Sequence, residues 1–253
     1  MDQDQLKTSW KVRIVVGIIG FLMLFSTVAV YALIVLSGEN EKKTSSVASA
    51  ELEEVQKEME AKRKELEALS DELSKEHYDT LSSYRSKVKS YNAKSVDNAG
   101  LKTTDLKKGS GAEIKEDSSY YSYYIGWCAD ESVFDSSFDD YKSPKSLVAP
   151  MAYTAGSSSF VAGWEDGVIG MKTGGVREID IPGELAYGDT QEICGGKNSP
   201  LKFIVYVVDP GSEYEKKLEE YNTLFQQYYV LYYSQNMDEL GGDDSDYSSE
   251  SGE

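Results

Sequence analysis

The chain has 253 residues and a formal net charge of −18, a length that allows one or two domains. Its acidity excludes nucleic acid as a partner, because phosphate binding needs a basic surface. Its two cysteines and one histidine are too few for a Cys/His zinc cluster, so no metal site is predicted. The histidine, His77, lies in a charged segment far from the predicted globular core.

The N-terminal part of the sequence predicts a single-pass membrane anchor. Residues 14–36 run for 23 residues without a charge, which at ~1.5 Å per residue spans a hydrocarbon core of ~30 Å. Basic residues in segment 1–13 favour a cytoplasmic N-terminus, with the rest of the chain outside the cytoplasm. The alternative is a signal peptide cleaved after Ala48-Ser49-Ala50, although secretory apolar cores usually have only ~7–15 residues.

Residues 45–92 are rich in Glu, Lys, Ala and Leu and contain no proline or glycine. Apolar or small residues alternate in steps of four and three, which predicts a helical or coiled-coil stalk. These residues are Ala48, Leu52, Val55, Met59, Leu66, Leu69 and Leu73. Lys62 interrupts the seam. Two interpretations stay open, a dimerising stalk and a solvated helical spacer supported by i,i+4 ion pairs.

Residues 101–210 are predicted to form the globular domain. Segments 120–127 and Leu201–Val208 have the aromatic and β-branched composition of strands. The second carries apolar residues on both faces, which indicates that both faces are at least partly buried. Between them, residues 161–188 predict a short helix, a glycine turn and a strand at Val176–Ile181.

A second long helix is predicted at residues 212–240, where Ser212 and Glu215 fit a capping box. Aromatic and apolar residues step by four and three along one face, so this face needs an apolar partner. They are Tyr214, Leu218, Tyr221, Phe225, Tyr228 and Tyr232. The partner is the globular domain, the stalk or a second copy of the helix. Residues 241–253 are acidic and poor in apolar side chains, which predicts a disordered tail.

Several motifs of the globular domain resemble those of one protein family. The chain carries YIG at 124–126, FDSS at 134–137, GWEDG at 163–167, AYG at 186–188 and LKF at 201–203. Their order and spacing are similar to the signature of the FKBP-type peptidyl-prolyl cis-trans isomerases, the FK506-binding proteins. The resemblance implies an α+β fold, with a twisted antiparallel sheet of roughly five strands wrapped around a short helix.

The resemblance also implies an apolar pocket that binds a proline-containing segment. Asp135 and Tyr187 are the implied catalytic residues, and the backbone N–H of Phe160 is expected to contact the ligand. The implied substrate-binding residues are Tyr124, Phe134, Phe160, Val161, Trp164, Ile193 and Phe203. Prolyl isomerisation needs neither a nucleophile nor a cofactor, so no cofactor is predicted.

The sequence departs from the family pattern in two loops beside this pocket. Between Asp135 and Trp164 there is no arginine to pair with the aspartate, only Lys142 and Lys145. A further pocket aromatic is expected from the same loop, but no motif identifies it. The loop after Tyr187 lacks the usual proline and paired isoleucines, and Ile193 is expected to supply part of its apolar lip.

Two cysteines lie next to the expected pocket. Cys128 follows the strand that carries Tyr124, and Cys194 lies in the overhanging loop after Tyr187. In an oxidising compartment a disulfide between them would pin that loop. The alternative is a pair of free thiols. Neither cysteine has a base nearby in the sequence, so catalysis by a thiol is not predicted.

Three hypotheses for function follow. The first is a membrane-anchored prolyl isomerase with chaperone character, acting on proline-containing unfolded or secreted polypeptides outside the cytoplasm. The second is a non-catalytic module that binds such segments at the membrane. The third assigns the main role to the two helical segments, which would assemble the chain into a homodimer.

Overall fold

The computed structural model describes residues 45–85, 96, 99–141 and 143–240. The predicted cytoplasmic segment 1–13, transmembrane helix 14–36 and acidic tail 241–253 lie outside these residues. Among the helices that the structure does describe, none is both long enough and apolar enough to cross a membrane. The described residues divide into two compact units, one formed by residues 67–214 and the other by residues 45–66 and 215–240.

The first unit contains a fully antiparallel sheet. Its strands are β1 (Lys102–Lys107), β2 (Ser119–Trp127), β3 (Val133–Ser136), β4 (Met151–Thr154), β5 (Val176–Ile181) and β6 (Leu201–Val208). The order is β1-β5-β6-β2-β3, and β4 also pairs with β2. The sheet has six strands, where roughly five were predicted, because two short strands share one edge. β3 pairs with the C-terminal end of β2, and β4 pairs with its N-terminal end.

One face of the sheet packs against the short helix α2 (Ala162–Val168). The two elements approach closely because the helix presents glycine to the strand. A Cβ atom added to Gly163 would lie 2.4 Å from Cγ2 of Ile181, and one added to Gly167 would lie 2.6 Å from Cγ2 of Ile179. Any larger residue at these positions would force the helix away from β5, which interior packing density does not allow without cost.

The other face of the sheet is covered by the C-terminal part of helix α1 (Ser45–Arg85). Leu81 of α1 is fully buried among side chains that include Tyr123, Ile125 and Ile204. Neither open interpretation of the stalk, a dimer seam or a solvated spacer, describes residues 67–85, because their apolar face lies on the sheet. Residues 67–85 therefore belong to the same compact unit as the sheet, although the predicted domain begins only at residue 101.

The second unit consists of residues 45–66 of α1 and residues 215–240 of helix α3 (Gly211–Leu240). Lys62, the charge that interrupts the seam, pairs with Glu220 of α3 at 2.7 Å, and Lys217 pairs with Glu65 at 2.6 Å. Gln56 donates to the Tyr228 hydroxyl at 3.2 Å. Of the predicted aromatic face of α3, Tyr228 therefore contacts the stalk, whereas Tyr214 at its start belongs to the first unit and meets Tyr121 of β2, with ring centroids 6.1 Å apart. A homodimer through the helices stays a prediction.

His77 is buried between α1 and the sheet. Its side chain is 7% exposed, and its Nδ1 lies 3.2 Å from the hydroxyl of Tyr206. The ring also contacts Tyr123, with centroids 5.8 Å apart. Burial lowers the pKa of His77, the charge of Glu76 opposes that shift, and Lys107 adds to it. The neutral imidazole is therefore the form that the fold favours.

This burial predicts a loss of stability at mildly acidic pH. The pKa of histidine in the unfolded chain is about 6.5. Above that pH the stabilisation from burying the neutral ring is complete, and it is lost as the pH falls from 6.5 through the lower pKa of the folded state. Between pH 8 and 5, the unfolding free energy of the native chain should fall more steeply than that of His77→Gln. Urea unfolding of both proteins at several pH values measures the difference. Parallel curves would show that His77 does not titrate on unfolding.

Candidate active site

Trp164 lies at the centre of an aromatic cluster on the α2 side of the sheet. It stands in the first turn of α2, where its backbone N–H donates to the carbonyl of Val161 at 2.9 Å. The rings of Phe203, Tyr124 and Phe160 surround the indole, with centroids 5.0, 5.4 and 5.4 Å away. Phe203 and Tyr124 meet the indole edge to face, an arrangement that aromatic pairs favour.

The polar edge of the indole is satisfied inside the core. Its Nε1 donates to the hydroxyl of Tyr120 at 3.0 Å, and Tyr120 is 5% exposed. Burial raises the pKa of Tyr120, so its hydroxyl stays protonated and accepts through its lone pairs. Because this hydrogen bond occupies the only polar group of Trp164, the rest of the indole is an apolar surface for the cluster.

Phe134 extends the aromatic wall from the edge of the sheet. Its ring lies 5.5 Å from that of Phe203, between centroids. The two rings meet over Gly126 of β2, where an added Cβ atom would lie 2.7 Å from Phe203 and 2.9 Å from Phe134. The glycine of the YIG motif is therefore required for this contact between two strands.

Asp135 is held at the edge of the cluster by two hydrogen bonds. The hydroxyl of Tyr124 donates to Oδ2 at 2.6 Å, and the backbone N–H of Ser136 donates to Oδ1 at 2.9 Å. Within the described residues, no lysine or arginine pairs with this carboxylate. Lys145 is exposed and has its backbone N–H on Asp139. Tyr124 is thus both a wall of the cluster and a support of the carboxylate.

Tyr187 follows a 3-10 turn at Gly183–Leu185 and packs half-buried against the same cluster. Burial raises the pKa of its hydroxyl, and the nearby charge of Asp135 raises it further. The phenol therefore stays protonated at neutral pH and is able to donate a hydrogen bond. Among the described residues, no side chain or backbone group forms a hydrogen bond with that hydroxyl.

The backbone N–H of Phe160, which is expected to contact the ligand, has a partner within the chain, and its ligand contact stays a prediction. This N–H donates to Oε1 of Glu165 at 3.2 Å, while Oε2 of the same carboxylate accepts from Gly156 at 2.8 Å. Glu165, only 9% exposed, therefore pins the loop before α2. The ring of Phe160 remains part of the cluster and lies 4.5 Å from that of Tyr153. The carboxylate in the first turn of α2 was the only sequence signal for this arrangement.

A disulfide ties the overhanging loop to the sheet. Cys128, directly after β2, is bonded to Cys194, and their Cα atoms are 5.1 Å apart. Ile193 and Cys194 are half-buried against the cluster. The structure thus has the bonded form of the two cysteines rather than two free thiols, and the bond holds Ile193 at the lip.

The structure brings the predicted site residues together in one place. Trp164 and Phe203 are buried members of one core cluster, and Asp135 joins through its bond to Tyr124. Packed partly buried against it are Tyr124, Phe134, Phe160, Val161, Tyr187 and Ile193. Their individual roles stay predictions, since no ligand contact tests them.

Sequence reasoning missed two side chains of β4. Met151 packs partly buried against the cluster, and Tyr153, 5% exposed, lies 5.9 Å from Trp164 between ring centroids. Tyr153 comes from the stretch in which a further pocket aromatic was expected, and its role in the pocket stays a prediction. Its alternation with Met151 in a four-residue strand was the available signal, but so short a period-two pattern is weak.

Comparison with known proteins supports the family resemblance of the globular domain. The sequence model of the FKBP-type peptidyl-prolyl cis-trans isomerases matches residues 111–208. An FK506-binding protein of Neisseria meningitidis serogroup B is 33% identical over 116 residues, which are 46% of this chain and 98% of that protein. The chloroplastic peptidyl-prolyl cis-trans isomerase FKBP13 of Arabidopsis thaliana is 34% identical over 108 residues, 40% of this chain and 49% of that protein.

A solved structure is also similar to part of the chain. The crystal structure of AtFKBP13 shares 29% identity over 46% of this chain and 96% of its own, with a TM-score of 0.38. The bacterial relative carries the assignment, because nearly its whole length is matched. The chain therefore belongs to the family of FKBP-type peptidyl-prolyl cis-trans isomerases.

Proposed function

We propose that this chain is a membrane-anchored prolyl isomerase that accelerates cis-trans isomerisation of X-Pro bonds in unfolded or secreted polypeptides outside the cytoplasm. The observation that carries the proposal is the aromatic cluster around Trp164 with two polar groups at its edge, the Asp135 carboxylate and the Tyr187 hydroxyl. An apolar site with a few convergent polar groups is the usual form of a small-ligand pocket.

The chemistry requires only binding and the stabilisation of a twisted amide. Rotation about the peptide bond must cross a barrier of ~18–20 kcal/mol, and the uncatalysed X-Pro reaction takes tens to hundreds of seconds. The proline ring would lie against Trp164 and Phe203. Removing water from the carbonyl group disfavours the planar, resonance-stabilised amide, whose oxygen carries more charge than in the twisted state.

The two polar groups would have different roles, one in orienting the substrate and one beside the carbonyl group that rotates. Tyr187 is a protonated donor and would hold a backbone carbonyl of the substrate, which orients the X-Pro bond. Asp135, fixed by Tyr124 and Ser136, would lie beside the carbonyl as it twists. Both contacts accelerate the reaction only so far as they are stronger in the twisted state than in the planar one.

The location outside the cytoplasm has two supports. The uncharged run at 14–36 has the length of a transmembrane helix, and the Cys128–Cys194 disulfide is a bond that persists in oxidising compartments and is rare in the cytosol. Together they favour clients that are themselves secreted or membrane-exposed.

One assay tests the activity and the anchor together. Carbonate-washed membranes from cells that produce the full chain should accelerate cis-to-trans isomerisation of a short X-Pro peptide. The Asp135→Ala, Tyr187→Phe double variant should lose about tenfold or more of kcat/KM, because each lost hydrogen bond is worth about 0.5–1.5 kcal/mol and 1.36 kcal/mol is a factor of ten.

The matched control replaces the same residue types where the side chain faces solvent, in Asp166→Ala, Tyr233→Phe. Both of these side chains are exposed, so this variant should keep the native rate. Membranes that hold folded protein but give only the uncatalysed rate would refute the isomerase and favour the peptide-binding module. Activity found only in the carbonate supernatant would refute the anchor alone.

A further inference from the structure

The C-terminal part of α1 is bonded to the segment that follows the FDSS motif. Hydrogen bonds join residues 67–85 to the described residues of segment 138–147. The backbone N–H of Leu147 donates to Oγ of Ser74 at 2.7 Å, in a buried position. The Tyr78 hydroxyl donates to the carbonyl of Pro144 at 3.3 Å, and the Arg85 guanidinium donates to the carbonyl of Tyr141.

Ring contacts reinforce these bonds at the start of the same segment. Phe138 is 1% exposed and meets Tyr78 edge to face, with centroids 5.7 Å apart. The guanidinium carbon of Arg85 lies 5.3 Å from the centroid of the Phe138 ring. Edge-to-face ring pairs and cation–π contacts are both attractive beyond the area that they bury. α1 thus holds both the backbone and the first side chain of the segment.

The segment is in turn bonded to the candidate site. The backbone N–H of Ser137 donates to the carbonyl of Tyr124 at 2.9 Å, and Oγ of Ser137 accepts from the Tyr124 N–H at 2.8 Å. The N–H of Val148 donates to the Ser137 carbonyl at 2.7 Å. Asp135 lies two residues before Ser137 and accepts from the Tyr124 hydroxyl. These hydrogen bonds, together with the Leu147–Val148 peptide bond and the Tyr124 side chain, therefore connect Ser74 with the carboxylate.

The sheet supports Asp135 from one side only. It lies in the four-residue strand β3, which joins β2 through three residue pairs with an irregularity between Gly126 and Trp127. β3 is an edge strand of the sheet, so only one side of it has a ladder. A short, irregular pairing at the edge of a sheet fixes a side chain less firmly than pairing at its centre. The hydrogen bonds from α1 to segment 138–147 add a second constraint directly after β3.

We propose that Ser74, Tyr78 and Arg85 are positioning residues of the isomerase site, through which α1 sets the place of Asp135. The proposal rests on the isomerase function proposed above. Its physical basis is that a misplacement of a catalytic group by about 1 Å can lower the reaction rate by on the order of a hundredfold. Substrate binding rests on the aromatic cluster, which is formed on the opposite face of the sheet, so the positioning should act on kcat rather than on KM.

Two buried serines, one turn apart on α1, give a matched test. Ser74 is 3% exposed and Ser70 is 9% exposed, but among the described residues the Ser70 hydroxyl has no hydrogen-bond partner. In the full chain in detergent, Ser74→Ala is expected to lower kcat for an X-Pro peptide about tenfold, with KM within about twofold of native. Ser70→Ala should change neither.

A double variant shows whether the effect passes through the carboxylate. In an Asp135→Ala background, Ser74→Ala should lower kcat no further, whereas independent effects would multiply. If Ser74→Ala does not fold, as judged by near-UV circular dichroism, Tyr78→Phe with Arg85→Met replaces it. That pair removes two of the hydrogen bonds and leaves the Tyr78 ring on Phe138, and kcat should fall about threefold or more.

The outcomes separate this inference from the proposed function. An inactive native chain would refute the isomerase function and the positioning role together. An active native chain whose folded Ser74→Ala variant keeps kcat would overturn the positioning role alone. A rise in KM at constant kcat, or the same loss in Ser70→Ala, would also overturn it, because either result would show a general effect on the fold.

Discussion

Replacing Cys128 and Cys194 together by serine is expected to lower the free energy of unfolding by about 2–4 kcal/mol. The bond closes a sequence separation of 66 residues, and a crosslink over such a loop removes many conformations from the unfolded chain. The closed loop contains half of the strands of the sheet, since β3, β4 and β5 lie between the two cysteines together with α2. Urea unfolding of the oxidised native chain and of the variant measures the difference.

The same variant should weaken substrate binding. The loop at 188–199 has only a few internal hydrogen bonds, such as Asn198 N–H to the Gly188 carbonyl at 2.7 Å. Without the disulfide, Ile193 would no longer be held against the aromatic cluster, so KM should rise severalfold with kcat little changed. The reduced native chain should behave like the variant, and reductant should not affect the variant. Equal stability and equal KM in all samples would contradict both expectations.

The residues that could be predicted were those carried by motifs. Each of FDSS, GWEDG and AYG places a side chain within a local turn or strand end, so its position follows from a few residues of sequence. Tyr120, Met151 and Tyr153 lie outside any motif, and their contribution depends on how β2 and β4 pair. Which rings meet across two strands is a property of register, and register is not visible in either strand alone.

The packing of α1 on the sheet could not be predicted from the sequence, and the reason is different. Steps of four and three along a helix show that one face is apolar, but they do not identify what covers that face. A partner helix and a sheet give the same pattern. The better signal was in β6, where Ile204, Tyr206 and Val208 make the second face of the strand apolar. Apolar residues on both faces of a strand require a layer on each side of the sheet.

Replacing Leu81 by alanine is expected to destabilise the first unit by about 2–5 kcal/mol. Leu81 is fully buried in the second core, with Tyr123, Ile125 and Ile204. Its truncation would leave a cavity between α1 and the sheet, and the side chains around it cannot close that space without moving the helix. Leu69→Ala is the matched control, because Leu69 lies on the same helix but is only half-buried.

Urea unfolding followed by near-UV circular dichroism measures this loss. The Leu69→Ala variant should lose less than half as much stability as Leu81→Ala, since truncation costs follow the burial of the atoms removed. Isomerisation adds a second comparison. If α1 both covers the sheet and positions segment 138–147, Leu81→Ala should lower kcat at temperatures where the protein is still folded. Equal unfolding free energies in the two variants would mean that α1 does not depend on Leu81 for its place on the sheet.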